Sequence, residues 1–223
     1  TQKNIEVEEN RALKKEELKE KIRKSNFSMD KIKKVKSISI WIFIIPFLAV
    51  NTCLILITEF HWLFPNQEDI IHNTLPYFDG GTSISRTARP YPNWLIFKPA
   101  MFLTSFLLIK YWLYNKEIII FFNKNHKHIK KIIFFGIGSA IALIIHSIFL
   151  GINFDNNFYK LFRRVVMVLF IIFEIVAQFY FVLTLYSFKN ELFKYINPNF
   201  LKLKLILIST LILVAVICIP IIS

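Results

Sequence analysis

Apolar residues fill five long stretches of this chain, and charged residues collect between them. A hydrocarbon core roughly 30 Å thick is crossed by about 20 helical residues, because a helix rises about 1.5 Å per residue. A soluble helix or strand would place polar residues at a regular period, and here the interruptions are too few. The pattern predicts an all-α integral membrane protein, a bundle of five transmembrane helices at 38–58, 94–114, 132–151, 165–187 and 203–222.

Composition agrees with a membrane domain. Hydrophobic residues make up 55% of the 223 residues, and the mean hydropathy is +0.48. The net charge of +13 comes from Lys and Arg that flank the apolar stretches, where they set orientation and meet anionic lipid. Membrane lipids are therefore the predicted partners, and nucleic acid is not. Cys53 and Cys218 both fall inside predicted spans, which argues against a disulfide framework or a zinc site.

The basic residues also predict an orientation. They concentrate before the first span, between the second and third, and between the fourth and fifth, which places these segments on the cytoplasmic side. The N-terminus is then cytoplasmic and the C-terminus external, with the loop 59–93 outside. Three basic residues in the short turn after the third span oppose this assignment: Lys160, Arg163 and Arg164.

The segment 1–37 forms a charged tail ahead of the membrane domain 38–223. Glu17 precedes Lys21 by four residues, a spacing that favours an exposed helix. The tail is too long and too acidic for the start of a cleaved signal peptide, so the first span is expected to remain as an anchor. A solvated helix is one interpretation, and a docking site for a partner protein or for headgroups is the other. Met29 is an alternative start of translation.

The external loop carries the residues that the spans lack. Glycines at its centre allow main-chain amides to approach an anion, and arginine forks suit phosphate. These residues predict a lipid-headgroup site; the alternative is a structured loop in which the glycines turn the chain. The candidate ligand-binding residues of the loop are Asp79, Gly80, Gly81, Arg86 and Arg89.

Polar residues inside the spans are costly in hydrocarbon and tend to face the bundle interior. Counting along each span puts them in the outer half of the membrane, beneath the external loop. Glu174 is expected to pair with Lys98 or His146, or else to be protonated, and His146 and Glu174 are the candidate catalytic acid and base. A purely structural network between helices is the alternative. The main members of this set are Asn51, Lys98, His146, Glu174 and Gln178.

Motifs of better-known chemistry are missing. The chain has neither a Walker-type loop nor a GxSxG elbow, and no cofactor is predicted. His126 and His128 form a His-x-His in a lysine-rich loop, but no carboxylate or cysteine accompanies them, so no metal site is expected.

Several short motifs carry a resemblance to a known family. Pro76, the triplet 83–85, Pro92 and the pair Phe97-Lys98 lead into the second span, and a late span reads IIFEIVAQFYF around Glu174. Over about half of its length the chain thus resembles the FRAG/DRAM/SFK family of membrane proteins, in which six spans are expected. The resemblance implies a lipid-related role, which in the family includes lipid remodelling, without an established catalytic mechanism; here it attaches to Ser83, Ser85, Lys98 and Glu174.

The sequence therefore predicts a polytopic membrane protein that engages lipid headgroups from the external side. Whether it modifies the lipid, and so whether it is an enzyme, stays open. The alternative is a noncatalytic accessory subunit whose loop and tail bind other membrane proteins.

Overall fold

The computed structural model describes residues 2–66, 84–123, 126–152, 157–189 and 197–222. Within these ranges the chain forms helices and turns and no strand. The helices are α1 (Gln2–Glu59), the short α2 (Ile84–Thr87), α3 (Asn93–Phe122), α4 (Ile129–Phe149), α5 (Asn157–Ser187) and α6 (Pro198–Ile222), with a 3-10 turn at His61–Leu63 after α1.

Four of the described helical segments are long and apolar enough to cross a membrane. They are Met29–Glu59 within α1 and the whole of α3, α4 and α5. This confirms the prediction of an all-α chain built from membrane-spanning helices, for four of the five spans. The fifth predicted span lies within α6, and its crossing of a membrane stays a prediction.

Consecutive long helices pack against one another: α1 on α3, α3 on α4, α4 on α5, and α5 on α6. The connections after α3 and after α4 are short, so neighbouring helices run in opposite directions. The ends of α1 and α4 therefore lie on the same side of the bundle as the starts of α3 and α5. We call this side the arginine end, because Arg86 and Arg89 follow α1 there.

The helices bury one face each. On α1 the buried residues Ala49, Cys53 and Ile57 are four apart, which is the spacing of one helix face. The centre of the bundle is aromatic: Trp112 is fully buried, with its ring edge-on to Phe181 at 5.9 Å between ring centroids. On α4 the inward face is small, since Gly136, Ser139 and Ala140 lie toward these rings, and small residues allow helices to approach closely in a membrane.

The outward faces carry large apolar side chains that the protein itself leaves exposed. Phe43 on α1, Phe134 on α4 and Leu203 on α6 are each more than half exposed. In a membrane such positions contact acyl chains, because hydrocarbon solvates them as well as a protein core does. The outward faces of the bundle are therefore apolar, as contact with lipid requires.

Candidate functional site

Three arginines from two separate segments converge at the arginine end. Arg86 is exposed on α2, Arg89 follows it and is half-buried, and Arg163 lies in the second turn of α5. Partial burial lowers the pKa of the Arg89 guanidinium below its usual value, and the positive charges of Arg163 and Arg86 lower it further. We call Arg86, Arg89 and Arg163 the arginine cluster.

Asn93 fixes the arginine-bearing segment to the bundle. Its fully buried side chain donates one hydrogen bond to the carbonyl of Cys53 on α1 and one to the carbonyl of Thr87 on α2, both at 2.8 Å. The Cys53 Sγ in turn donates to the Asn93 carbonyl at 3.5 Å. Because one amide joins three helices, the backbone between Arg86 and Arg89 has a fixed position relative to two membrane-spanning helices.

Gly151 lies against the same segment. It has a φ of +82°, the left-handed region in which glycine is favoured, and it ends α4 with a tight turn. A Cβ built on Gly151 would lie 3.5 Å from the Arg89 carbonyl oxygen, so the two backbones are in contact. The hydroxyl of Tyr159 then donates to the Phe149 carbonyl, which ties the first turn of α5 to the last turn of α4.

His146 lies at this end of α4 and is buried. The charges that act on its ring are those of Arg163 and Arg89. His146 is therefore a buried titratable group next to the arginine cluster.

Lys98 also lies at the arginine end, but it contacts other residues than the arginine cluster. Its Nζ donates to the Ile148 carbonyl at 3.4 Å and lies 5.4 Å from the centre of the Trp94 ring. A cation at the last carbonyls of a helix is favoured by the helix dipole. Lys98 thus caps α4, and it is not among the charges acting on Arg89 or His146.

Glu174 lies in the middle of the bundle. Its Oε2 accepts hydrogen bonds from the hydroxyl of Ser139 at 2.8 Å and from the indole nitrogen of Trp112 at 3.4 Å, and its Oε1 accepts from the Gln178 amide at 2.8 Å. The carboxylate thus contacts side chains of α3, α4 and α5. The expectation that Glu174 faces the interior of the bundle agrees with these contacts.

The expected pairing of Glu174 with His146 or Lys98 does not agree with these hydrogen bonds of the carboxylate. Ser139, which contacts Glu174, precedes His146 by seven residues on α4, or about 10 Å along the helix. From the sequence, the depth of Glu174 was counted from residue 165. In the structure α5 already begins at Asn157, eight residues earlier (165 − 157). Glu174 therefore lies deeper than expected, and the structure gives no acid–base pair of Glu174 with His146.

Lys204 of α6 approaches the same interior site. Its Nζ lies 3.4 Å from the Tyr111 hydroxyl and 4.3 Å from the centre of the Phe181 ring. Its positive charge acts on Glu174. Lys204, Glu174 and their neighbours form a second polar site, which we call the interior cluster: Trp112, Ser139, Glu174, Gln178 and Lys204.

Some predicted site residues lie outside the described part of the chain. These are Asp79, Gly80, Gly81 and Ser83; Ser85 is part of α2, but its side chain is outside that part as well. Among the other polar span residues, the Asn51 amide donates to the Phe47 carbonyl of its own helix at 2.7 Å. In the ranges that the structure covers, no group of three or more His, Cys, Asp or Glu is arranged to hold a metal ion.

Several residues of both sites were not predicted from the sequence. Arg163 was considered only as a residue that opposes the orientation, and Lys204 was not singled out. Asn93 stands at the start of an apolar stretch, where a buried amide is one of few polar residues, and this is a signal that could have identified it. Ser139 and Trp112 carry no signal in sequence, because small and aromatic residues are common in membrane helices.

Comparison of the chain with family models, with curated proteins and with solved structures gives no match in any of the three.

Proposed function

We propose that this multi-pass membrane protein binds the anionic headgroup of a membrane lipid at the arginine cluster. The observation that carries the proposal is the convergence of Arg86 and Arg163 on Arg89, on which both of their positive charges act. Like charges held close together repel, more strongly where water is partly excluded. A phosphate diester bound among them offsets this repulsion, and its oxygens match the planar donors of a guanidinium group.

The fixed backbone around Arg89 supports the proposal. Asn93 holds the segment before Arg89 to α1 and α3, and Gly151 contacts the Arg89 carbonyl from the α4–α5 turn. A site whose backbone is already ordered loses less conformational entropy when the ligand binds. Membrane helices that end in such a site are suited to hold a headgroup while the acyl chains lie along the exposed apolar faces.

The orientation belongs to the same proposal. With five spans, including one formed by α6, the N-terminus is cytoplasmic, the C-terminus is external and the arginine cluster faces outward. A cysteine at Thr82 is expected to react with an impermeant thiol reagent on intact cells, and one at Asn125 only after permeabilisation. The reverse labelling would contradict the outward-facing site.

Lipid remodelling is the activity implied by the FRAG/DRAM/SFK resemblance. If the bound lipid is modified, His146 is the group we propose for proton transfer, because it lies beside Arg89 and Arg163. Glu174 is about 10 Å deeper along the bundle and has no place in that step.

The binding itself is tested by removing two charges at a time. Arg86 and Arg89 together are changed to Gln, and the matched control is the double change of Lys160 and Arg164, two exposed residues on α5. Both variants and the wild type are placed in nanodiscs of phosphatidylcholine and phosphatidylglycerol, and the lipid retained after mild detergent extraction is counted by native mass spectrometry. We expect several-fold less phosphatidylglycerol on the Arg86/Arg89 variant alone. Equal retention on both variants would overturn the proposal.

One observation favours the accessory subunit as a second candidate. Helix α1 runs unbroken from Gln2 to Glu59, and in its first part the side chains of 14–16, 18 and 19 are exposed. At about 1.5 Å per residue, the 27 residues before Met29 extend about 40 Å beyond the candidate span. A partner protein bound there would co-purify in stoichiometric amount with the full chain and be lost when residues 1–28 are removed, while lipid retention stays unchanged.

A further inference from the structure

The interior cluster has no role in headgroup binding, yet it places a carboxyl group deep in the bundle. Glu174 is 17 residues from the start of α5 and 13 from its end (174 − 157 and 187 − 174), or about 25 Å and 20 Å along the helix. Ionisable groups at such depth are expensive and tend to be functional.

The hydrogen bonds around Glu174 fit two protonation states. The Ser139 hydroxyl has one proton but two acceptors, each at 2.8 Å: the Glu174 Oε2 and the Gly136 carbonyl. When Glu174 is ionised, Ser139 donates to Oε2. When Glu174 is protonated, its O–H donates to the Ser139 oxygen, and Ser139 donates to Gly136. The Gln178 amide donates to Oε1 in both states.

The positive charge that acts on the Glu174 carboxylate is on another helix. Lys204 lies on the face of α6 that contains the buried residues Leu201 and Ile208, and its charge acts on Glu174. Lys204 on α6 is the charged group that acts on Glu174, and its Nζ contacts the hydroxyl of Tyr111 on α3. Attraction between opposite charges is strong where the dielectric constant is low, and it disappears when the carboxylate is neutralised.

We propose that Glu174 binds and releases a proton inside the membrane, and that the proton weakens the attachment of α6 to the bundle by removing the attraction of Glu174 for Lys204. The ligand of this site is the proton itself, and the moving element is α6. Apart from Leu201, Lys204 and Ile208, the described side chains of α6 are mostly exposed, so in that part of the helix few buried side chains attach it to the other helices.

The proton is detected with a hydrophobic carbodiimide, which reacts with protonated carboxyl groups and leaves a stable adduct. The wild-type protein in nanodiscs is treated over a range of pH, and the adducts are located by peptide mass spectrometry and quantified against peptides of the same protein that contain no carboxyl group. We expect labelling of Glu174 to fall by up to about tenfold per pH unit as Glu174 ionises. Labelling of Glu174 that is absent at every pH, or constant across the range, would overturn the proposal.

The coupling to α6 is measured separately, by pulsed electron spin resonance. Spin labels are placed at Phe134 on α4 and Phe200 on α6, both more than half exposed, after Cys53 and Cys218 are replaced by Ser. We expect a distance distribution that shifts or broadens as the pH falls, and the acidic distribution at every pH in Glu174→Gln. The variant Glu117→Gln is the control and should behave as the wild type. A distribution that is the same at every pH and in Glu174→Gln would overturn the coupling.

Discussion

The indole ring of Trp112 occupies the space that a side chain would need at Gly136. A Cβ built on Gly136 would lie 2.4 Å from the ring, which is well inside van der Waals contact. Trp112 is fully buried and edge-on to both Tyr111 and Phe181, so it cannot move aside. The close approach of α3 and α4 therefore depends on the absence of a side chain at one position.

Gly136→Ala is expected to destabilise the bundle, because the added methyl group overlaps the ring; overpacking of this kind costs about 1–3 kcal/mol. The measurement is the thermal unfolding midpoint in detergent. Gly138→Ala is the matched control: its Cβ would meet the ring edge of Phe173, which is only half-buried and can turn outward. An equal effect of the two substitutions would contradict the tight packing of Trp112.

Asn93→Leu should affect both stability and lipid retention. It removes two buried hydrogen bonds, to the carbonyls of Cys53 and Thr87, and each such bond stabilises by about 0.5–1.5 kcal/mol. Asn115→Leu is the control on the same helix, since the buried Asn115 amide donates only to the Tyr111 carbonyl one turn away. We expect both variants to melt at lower temperature, but only Asn93→Leu to retain less phosphatidylglycerol. Normal lipid retention in Asn93→Leu would show that the hydrogen bonds of Asn93 do not order the arginine cluster.

His126 and His128 should make the protein less stable in acid. Burial, followed by the charge of Lys127, lowers the pKa of each imidazole below the ordinary value of 6.5. The unfolded chain then binds more protons than the folded one, so the stability due to the neutral rings is complete above the ordinary pKa and is lost as the pH falls through the folded-state values.

The check is the fall in the unfolding midpoint between neutral and acidic pH. This fall should be smaller when both histidines are replaced by Gln, and partly reduced in Lys127→Gln, which removes one of the causes. An unchanged acid sensitivity in the double histidine variant would show that these rings stay solvated.

The positions of the helices could be predicted from the sequence, since the length of an apolar stretch is set by the membrane. Their lengths could not: α3 extends to Phe122 where the apolar stretch ended at 114, because charged residues at an interface continue a helix without interrupting its backbone hydrogen bonds. The four described spans follow the predicted order, and α6 stays a prediction as a fifth.

The candidate site could be predicted only in part. Arg86 and Arg89 could be predicted as anion-binding residues from the chemistry of their guanidinium groups alone. Arg163 could not be added, because it is more than 70 residues away (163 − 89) and only the packing of α4 between α3 and α5 brings it near. The apolar stretch likewise does not show where a helix begins, and the depth of Glu174 counted from residue 165 was too small because α5 begins at Asn157.

Photocross-linking of a lipid headgroup tests whether the arginine cluster binds it. A phosphatidylglycerol analogue with a photoreactive group on its headgroup is mixed into nanodiscs that contain the wild type, Arg163→Gln or the exposed neighbour control Arg164→Gln, and the adducts are located by peptide mass spectrometry. The account predicts adducts in residues 84–92 and 157–164 of the wild type and the control, and several-fold fewer in Arg163→Gln. Adducts spread equally along both ends of the bundle, unchanged in Arg163→Gln, would contradict it.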